Sequence, residues 1–273
     1  MTGEFPPEAI EVLTGSPFGM QFEDSGLAFF DPPGWNPDLG LDAAIELMGW
    51  TCERSEGGTP GEALERLRAA CADGPVLVGP VDIGLLTHQP WAAGTAIGGD
   101  HWVVVLEVGD TVVMHDPEGF PYATLPIDQF VQSWRAEKLA CAGPYVLRTG
   151  FRRLREVAVE DALRASIPRA VEWLSKDSAT HALRLAAQLE DGIDVQLLQM
   201  LGGFILRSGA RRLDDAGTWL ERIGAEAAAR ISRGQARLLG RAQFPLVRGE
   251  LFAAAEIIRE FAPGYARMHA TLK

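Results

Sequence analysis

One stretch constrains this chain more than any other: GGDHWVVVLEVGDTVVMHDPEG, residues 98–119. Two apolar runs are joined by Gly109-Asp110, and polar residues close their outer ends, His101 on the first run and His115-Asp116-Pro117 on the second. Alternation around a short Gly-containing link predicts a β-hairpin. With a two-residue turn, Val108 faces Thr111, Val105 faces Met114, Val103 faces Asp116 and His101 faces Glu118. Side chains alternate across the pleat, so His101, Val103, Val105 and Glu107 share a face with Glu118, Asp116, Met114 and Val112. His101 and Asp116 are then diagonal neighbours, roughly 7–8 Å apart at the backbone. Trp102, Val104 and His115 point to the opposite face. A turn one residue longer would slip the register and separate the pair.

Such a pair has a chemical use. An imidazole works as a base only when one tautomer is held, and a carboxylate on one ring nitrogen both holds it and stabilises the imidazolium. The plainer alternative is that His101 ends a strand and Asp116-Pro117 opens a turn, which Asp-Pro often does.

The rest of the composition narrows the setting. With 273 residues, 47% hydrophobic and 23% charged, the chain can bury a sizeable core and is not extensively disordered. A net charge of -12 with no basic stripe argues against a nucleic-acid partner and suits a small-molecule substrate. VVVL and PVLVGPV are too short to span a membrane, and MTGEFPPEAIEVL lacks the basic and apolar regions of a secretory signal. Cys52, Cys71 and Cys141 are widely spaced, with neither a CxxC pair nor histidines at metal-ligand spacing. No disulfide framework, metal or cofactor is therefore expected, and the address expected is cytoplasmic.

The chain changes character near residue 150, so the expected organisation is an α+β domain over 1–150 followed by an all-α domain over 151–273. In the first part, helices are predicted at about 39–48, from Thr59-Pro60 to Asp73-Gly74-Pro75, and from Pro126 to Ala136. WTCER, PVLVGPVDIGLL and GPYVLRT read as strands. In the second part, helices are predicted at about 157–175, 178–190, 193–208, 210–223, 225–241 and 248–261. This half is expected to form a bundle packed on the first domain or to build a homodimer surface.

The order GEALERLRAACADGPVLVGPVDIGLL, GGDHWVVVLEV, TVVMHDP, a helix with Phe130 and Trp134, then GPYVLRT, resembles the His/Asp half of a papain-like cysteine peptidase fold of the C39 type. It is closer to the butirosin-biosynthesis-H-like acyltransferase family. SPFGMQF resembles that family's Phe-Gly-rich segment, Pro6 to Leu13 its preceding helix, and GGFILRSGARRLDDAGTWL its C-terminal helical domain. The resemblance implies an acyltransferase or hydrolase of natural-product metabolism, with an acyl carrier protein as a partner. His101 would be the base and Asp116 its orienter. The family's nucleophile is a cysteine opening an N-terminal helix, and this sequence has no cysteine before Cys52. Either that segment is encoded upstream or thiol chemistry has been lost.

Substitutes for the nucleophile are poor. Cys52 and Cys71 read as core, Cys141 precedes a strand, and Ser16 in GSPFG lacks the strand–turn–helix elbow of a serine nucleophile. Ser16, Asp82 at the end of a buried strand, Gly99 and Trp102 are candidate substrate contacts. For Asp82 a turn cap is an equal reading, and for Trp102, as for Trp35 and Trp91, packing is the ordinary role. His88 and His115 have no local partners for a metal and read as core or surface. Two expectations stand: an acyltransferase or hydrolase built on His101 and Asp116, or a non-catalytic homologue that binds a small molecule or partner protein.

Overall fold

The structure, a computed structural model, describes residues 5–23, 26–139 and 141–273; the signal-peptide reading of MTGE lies outside them. It is α+β with antiparallel sheets. Two compact units are present: Trp50–Leu154, and the residues before Trp50 together with Arg155–Lys273. No helix among the described residues is long and apolar enough to cross a membrane.

The second of these units begins with α1 (Pro7–Leu13), a two-stranded ribbon of β1 (Gln21–Phe22) and β2 (Ala28–Phe29), and α2 (Pro37–Leu47). The expected division at residue 150 kept these elements with the sheet; the structure groups them with the helices. The reason is long-range packing. Ala9, Val12 and Leu13 of α1 are buried, the Ser178 hydroxyl accepts from Met20 N–H at 2.9 Å, and His181 Nδ1 accepts from Phe22 N–H at 2.9 Å. No local pattern announces partners about 160 positions away.

The sheet unit runs β3 (Trp50–Ser55), α3 (Pro60–Asp73), β4 (Val76–Asp82), a 3-10 turn (Ile83–Leu85), β5 (Asp100–Val108), β6 (Thr111–Asp116), β7 (Phe120–Pro126), α4 (Ile127–Trp134) and β8 (Leu147–Arg153). Strand order is β3-β8-β4-β5-β6-β7, antiparallel throughout. The start of α3 follows from its sequence: Thr59 and Glu62 form a reciprocal capping box and Pro60 occupies the first turn. One sheet face carries Val76, Val78, Val103, Val105, Val112 and Met114, and it packs with Leu67 of α3 and Phe130 and Trp134 of α4. This apolar face is the floor on which the polar site is built.

The helices after the sheet are α5 (Val159–Leu174), α6 (Ser178–Asp191), α7 (Val195–Met200), α8 (Leu206–Arg222), α9 (Glu226–Val247), α10 (Leu251–Phe261) and α11 (Gly264–Leu272). The expected break at 208–210 is absent. Helix α8 runs through Gly209, where a Cβ would come 2.5 Å from the Phe30 ring, so the glycine serves close packing and not termination. The irregularity falls earlier, in a π-type segment at Leu201–Ile205 containing Gly202-Gly203.

Candidate functional site

The hairpin of β5 and β6 sets the site. Val104 pairs with His115 and Val105 with Met114, the register expected for a two-residue turn. Nearer the turn the register is different: Glu107 pairs with Val113 and Val108 with Val112. The link thus behaves as a longer turn, and an extra residue at Leu106 restores the register before the site is reached. Val105 and Val112 both stay in the core as a result. His101 and Asp116 end on one buried face because the bulge offsets the longer link.

Asp116 is the centre. Its carboxylate is buried and accepts four hydrogen bonds. Oδ1 accepts from His101 Nε2 at 2.8 Å and from Glu118 N–H at 2.9 Å; Oδ2 accepts from His88 Nε2 at 2.8 Å and from Gln89 Nε2 at 2.7 Å. Burial alone would raise the carboxyl pKa, but the hydrogen bonds from His101, His88, Glu118 N–H and Gln89 outweigh it and hold the group far below the usual carboxylate range. An ionised carboxylate can only accept, so the neutral form of each imidazole carries its proton on Nε2. Nδ1 of His101 is then the basic nitrogen, and among the described residues no protein group hydrogen-bonds it. Nδ1 of His88, by contrast, is buried without a partner among the described residues.

His88 and Gln89 reach Asp116 because Asp82 folds the loop that carries them. The buried Asp82 carboxylate accepts from Gly84 N–H at 3.0 Å, Ile97 N–H at 3.1 Å and Gly98 N–H at 2.9 Å. It caps the 3-10 turn and pins the far end of the 83–99 loop with the same two oxygens. The loop also packs through aromatics: the His88 ring stands edge-on to Phe120 at 5.6 Å, and Trp91 lies 5.5 Å from Phe120.

The other candidates occupy varied positions. Gly99 receives Ile83 N–H on its carbonyl at 2.9 Å, and a Cβ there would sit 2.8 Å from Ile83. Trp102 points away from His101, its ring against Gly79 and its indole N–H buried without a partner among the described residues. His115 also lies on that opposite face, accepting from Tyr122 N–H at 3.2 Å. Ser16 belongs to the other unit, where it is buried and donates to Glu11 Oε1 at 2.8 Å. Among the described residues no group of His, Cys, Asp and Glu is arranged to hold a metal.

Two of the three thiols, Cys71 and Cys52, are poor nucleophile candidates in the structure as well. Cys71 sits on α3 with its thiol pushed up to about 11 by burial, so it is no thiolate at neutral pH. Cys52 is on β3, three strand spacings from β5, about 14 Å across the sheet. Among the described residues no cysteine, serine or threonine hydrogen-bonds His101.

Sequence reading missed His88 and Gln89. The available signal was Thr87-His88-Gln89, a polar island after the apolar Leu85-Leu86 and just past the Asp82 strand end. Loops have no periodicity from which a facing direction can be read.

Residues 171–273 match the YobF C-terminal domain family. The chain is also 30% identical over 135 residues to a Bacillus subtilis (strain 168) protein described as "Uncharacterized protein YobF". That similarity covers 49% of this chain and 43% of the Bacillus protein, so the chain spans less than half of the relative's length.

Proposed function

We propose that Trp50–Leu154 carries a general-base site of the acyl-transfer or hydrolase class on a papain-like fold, with His101 as base and Asp116 as orienter. The observation that supports this most is the Asp116 clamp: four donors hold one ionised carboxylate against His101 Nε2, which leaves Nδ1 free to accept a proton. As a nucleophile attacks an acyl carbon, Nδ1 takes its proton, and Asp116 stabilises the imidazolium formed. The resemblance to acyltransferases of natural-product biosynthesis supplies the substrate class: an acyl thioester donor, an acyl carrier protein as its bearer and a small amine or water as acceptor. His88 and Gln89 are positioning residues in this scheme, because they touch Asp116 and not the reacting nitrogen.

A second reading has its own observation. No hydroxyl or thiol among the described residues engages His101, which favours a homologue that binds a small molecule or a partner protein and transfers nothing. Hydrolysis of an N-acetylcysteamine acyl thioester and of p-nitrophenyl acetate separates the two. The base reading expects turnover that falls by about 10²- to 10⁴-fold in His101→Ala. Turnover equal in wild type and His101→Ala, or no turnover with either probe, would replace it with the binding reading.

A further inference from the structure

We propose that a cleft between α9, the end of α10 and α11 is a binding site for a small organic anion bearing phosphate. The cleft measures about 630 Å³, within the range of small-molecule sites. Its wall carries Arg230, Arg237 and Arg241 from one face of α9 and Arg267 from α11, against a single carboxylate, Glu260. Four guanidinium groups around one cleft are notable in a chain whose net charge is -12. The overall field repels anions, so this local excess of positive charge opposes it and costs mutual repulsion that an anion would relieve.

The partners of these arginines divide them. Arg241 reaches Glu260 at 3.2 Å and Arg230 reaches Glu226 at 3.7 Å. Arg237 and Arg267 have no ion-pair partner among the described residues. Guanidinium forks match phosphate oxygens bidentately, which a point charge does not.

Gln235 borders the same cleft. It is 1% exposed, and among the described residues neither its amide oxygen nor its amide nitrogen has a hydrogen-bond partner. Both amide atoms are enclosed against Gly264, so they mark a tight seam between α9 and α11 beneath the cleft, and the arginines above it supply the contacts to a ligand. Its side chain lies so close to Gly264 that a Cβ there would be 1.9 Å away, so glycine is what allows the amide this position. Between the arginines of α9, Gly234 opens the cleft; a Cβ at that position would meet nothing within 4 Å. This site lies wholly within the helical unit and stands independently of the base site.

Calorimetric titration of the full chain with inorganic pyrophosphate and with ADP tests it, with polyglutamate as a third arm. Saturable binding of pyrophosphate or ADP is expected, weakening as salt rises. Arg237→Ala and Arg267→Ala should each weaken it about tenfold or more with unchanged thermal unfolding, since neither arginine holds an ion pair. Gly234→Met should fill the cleft and abolish binding while leaving the helix as stable or more so. No binding of either phosphate probe at millimolar concentration, binding that all three variants retain, or binding of polyglutamate alone would overturn the proposal.

Discussion

Two carboxylates, one in each unit, show what decides the charge of a buried acid. Asp116 on β6 is buried and ringed by four donors, and its pKa is driven down. Asp215 on α8 is half-buried, and among the described residues its Oδ2 has no hydrogen-bond partner. Burial pushes it up to about 6; Arg211 opposes this, and Glu8, Glu11 and Asp214 add to it. Burial raises both groups, so the difference lies in the donors. The sheet unit directs backbone and side-chain N–H groups at its acid, which fixes a negative charge beside the His101 imidazole. The helical unit leaves Asp215 in a field of like charges.

The largest test of this contrast is Asp116→Ala. It strands His101, His88 and Gln89 without their acceptor, and the sheet unit should lose about 3–5 kcal/mol in denaturant unfolding. The acid also sets a pH dependence. Its folded pKa lies below the unfolded value of about 3.9, so its contribution is present above about pH 4 and is lost as pH falls through the folded value. A loss under 1 kcal/mol would mean that the clamp contributes little.

A smaller effect is expected from Asp82→Ala, which frees three loop N–H groups that water can partly satisfy: about 2 kcal/mol, with hydrogen exchange at Gly84, Ile97 and Gly98 becoming fast. Exchange unchanged at these amides would detach the 83–99 loop from Asp82.

The smallest effect has the opposite sign. Asp215 has a folded pKa above its unfolded one, so its ionisation removes stability as pH rises from about 4 to 6. Asp215→Asn should therefore stabilise the helical unit at pH 7 and do nothing below pH 4. Because the side chain keeps some contact with water, about 1 kcal/mol is expected, near 2–4 °C in Tm. A destabilised variant at pH 7 would reverse the comparison.

These contrasts also mark what was legible in the sequence. The shared face of His101 and Asp116 follows from strand alternation together with the register of a two-residue turn, and the capped start of α3 follows from Thr59, Pro60 and Glu62. The Leu106 bulge does not follow, because two errors that cancel leave no trace at the site end of the hairpin: the link takes an extra residue, and β5 gives it back. The second histidine on Asp116 stayed hidden because a loop folded by Asp82 delivers it. Residues before Trp50 were assigned to the sheet by proximity in sequence, whereas the pairings of Met20 with Ser178 and Phe22 with His181 join them to the helices.

Asp116 fixes His101 with its proton on Nε2 and its lone pair on Nδ1. Nitrogen-15 NMR of the histidine rings above the imidazolium range reads this directly. A protonated Nε2 and an unprotonated Nδ1 are expected for His101, giving way to a tautomer mixture in Asp116→Ala. A protonated Nδ1 in the wild type, or a mixture that Asp116→Ala leaves unchanged, would contradict it.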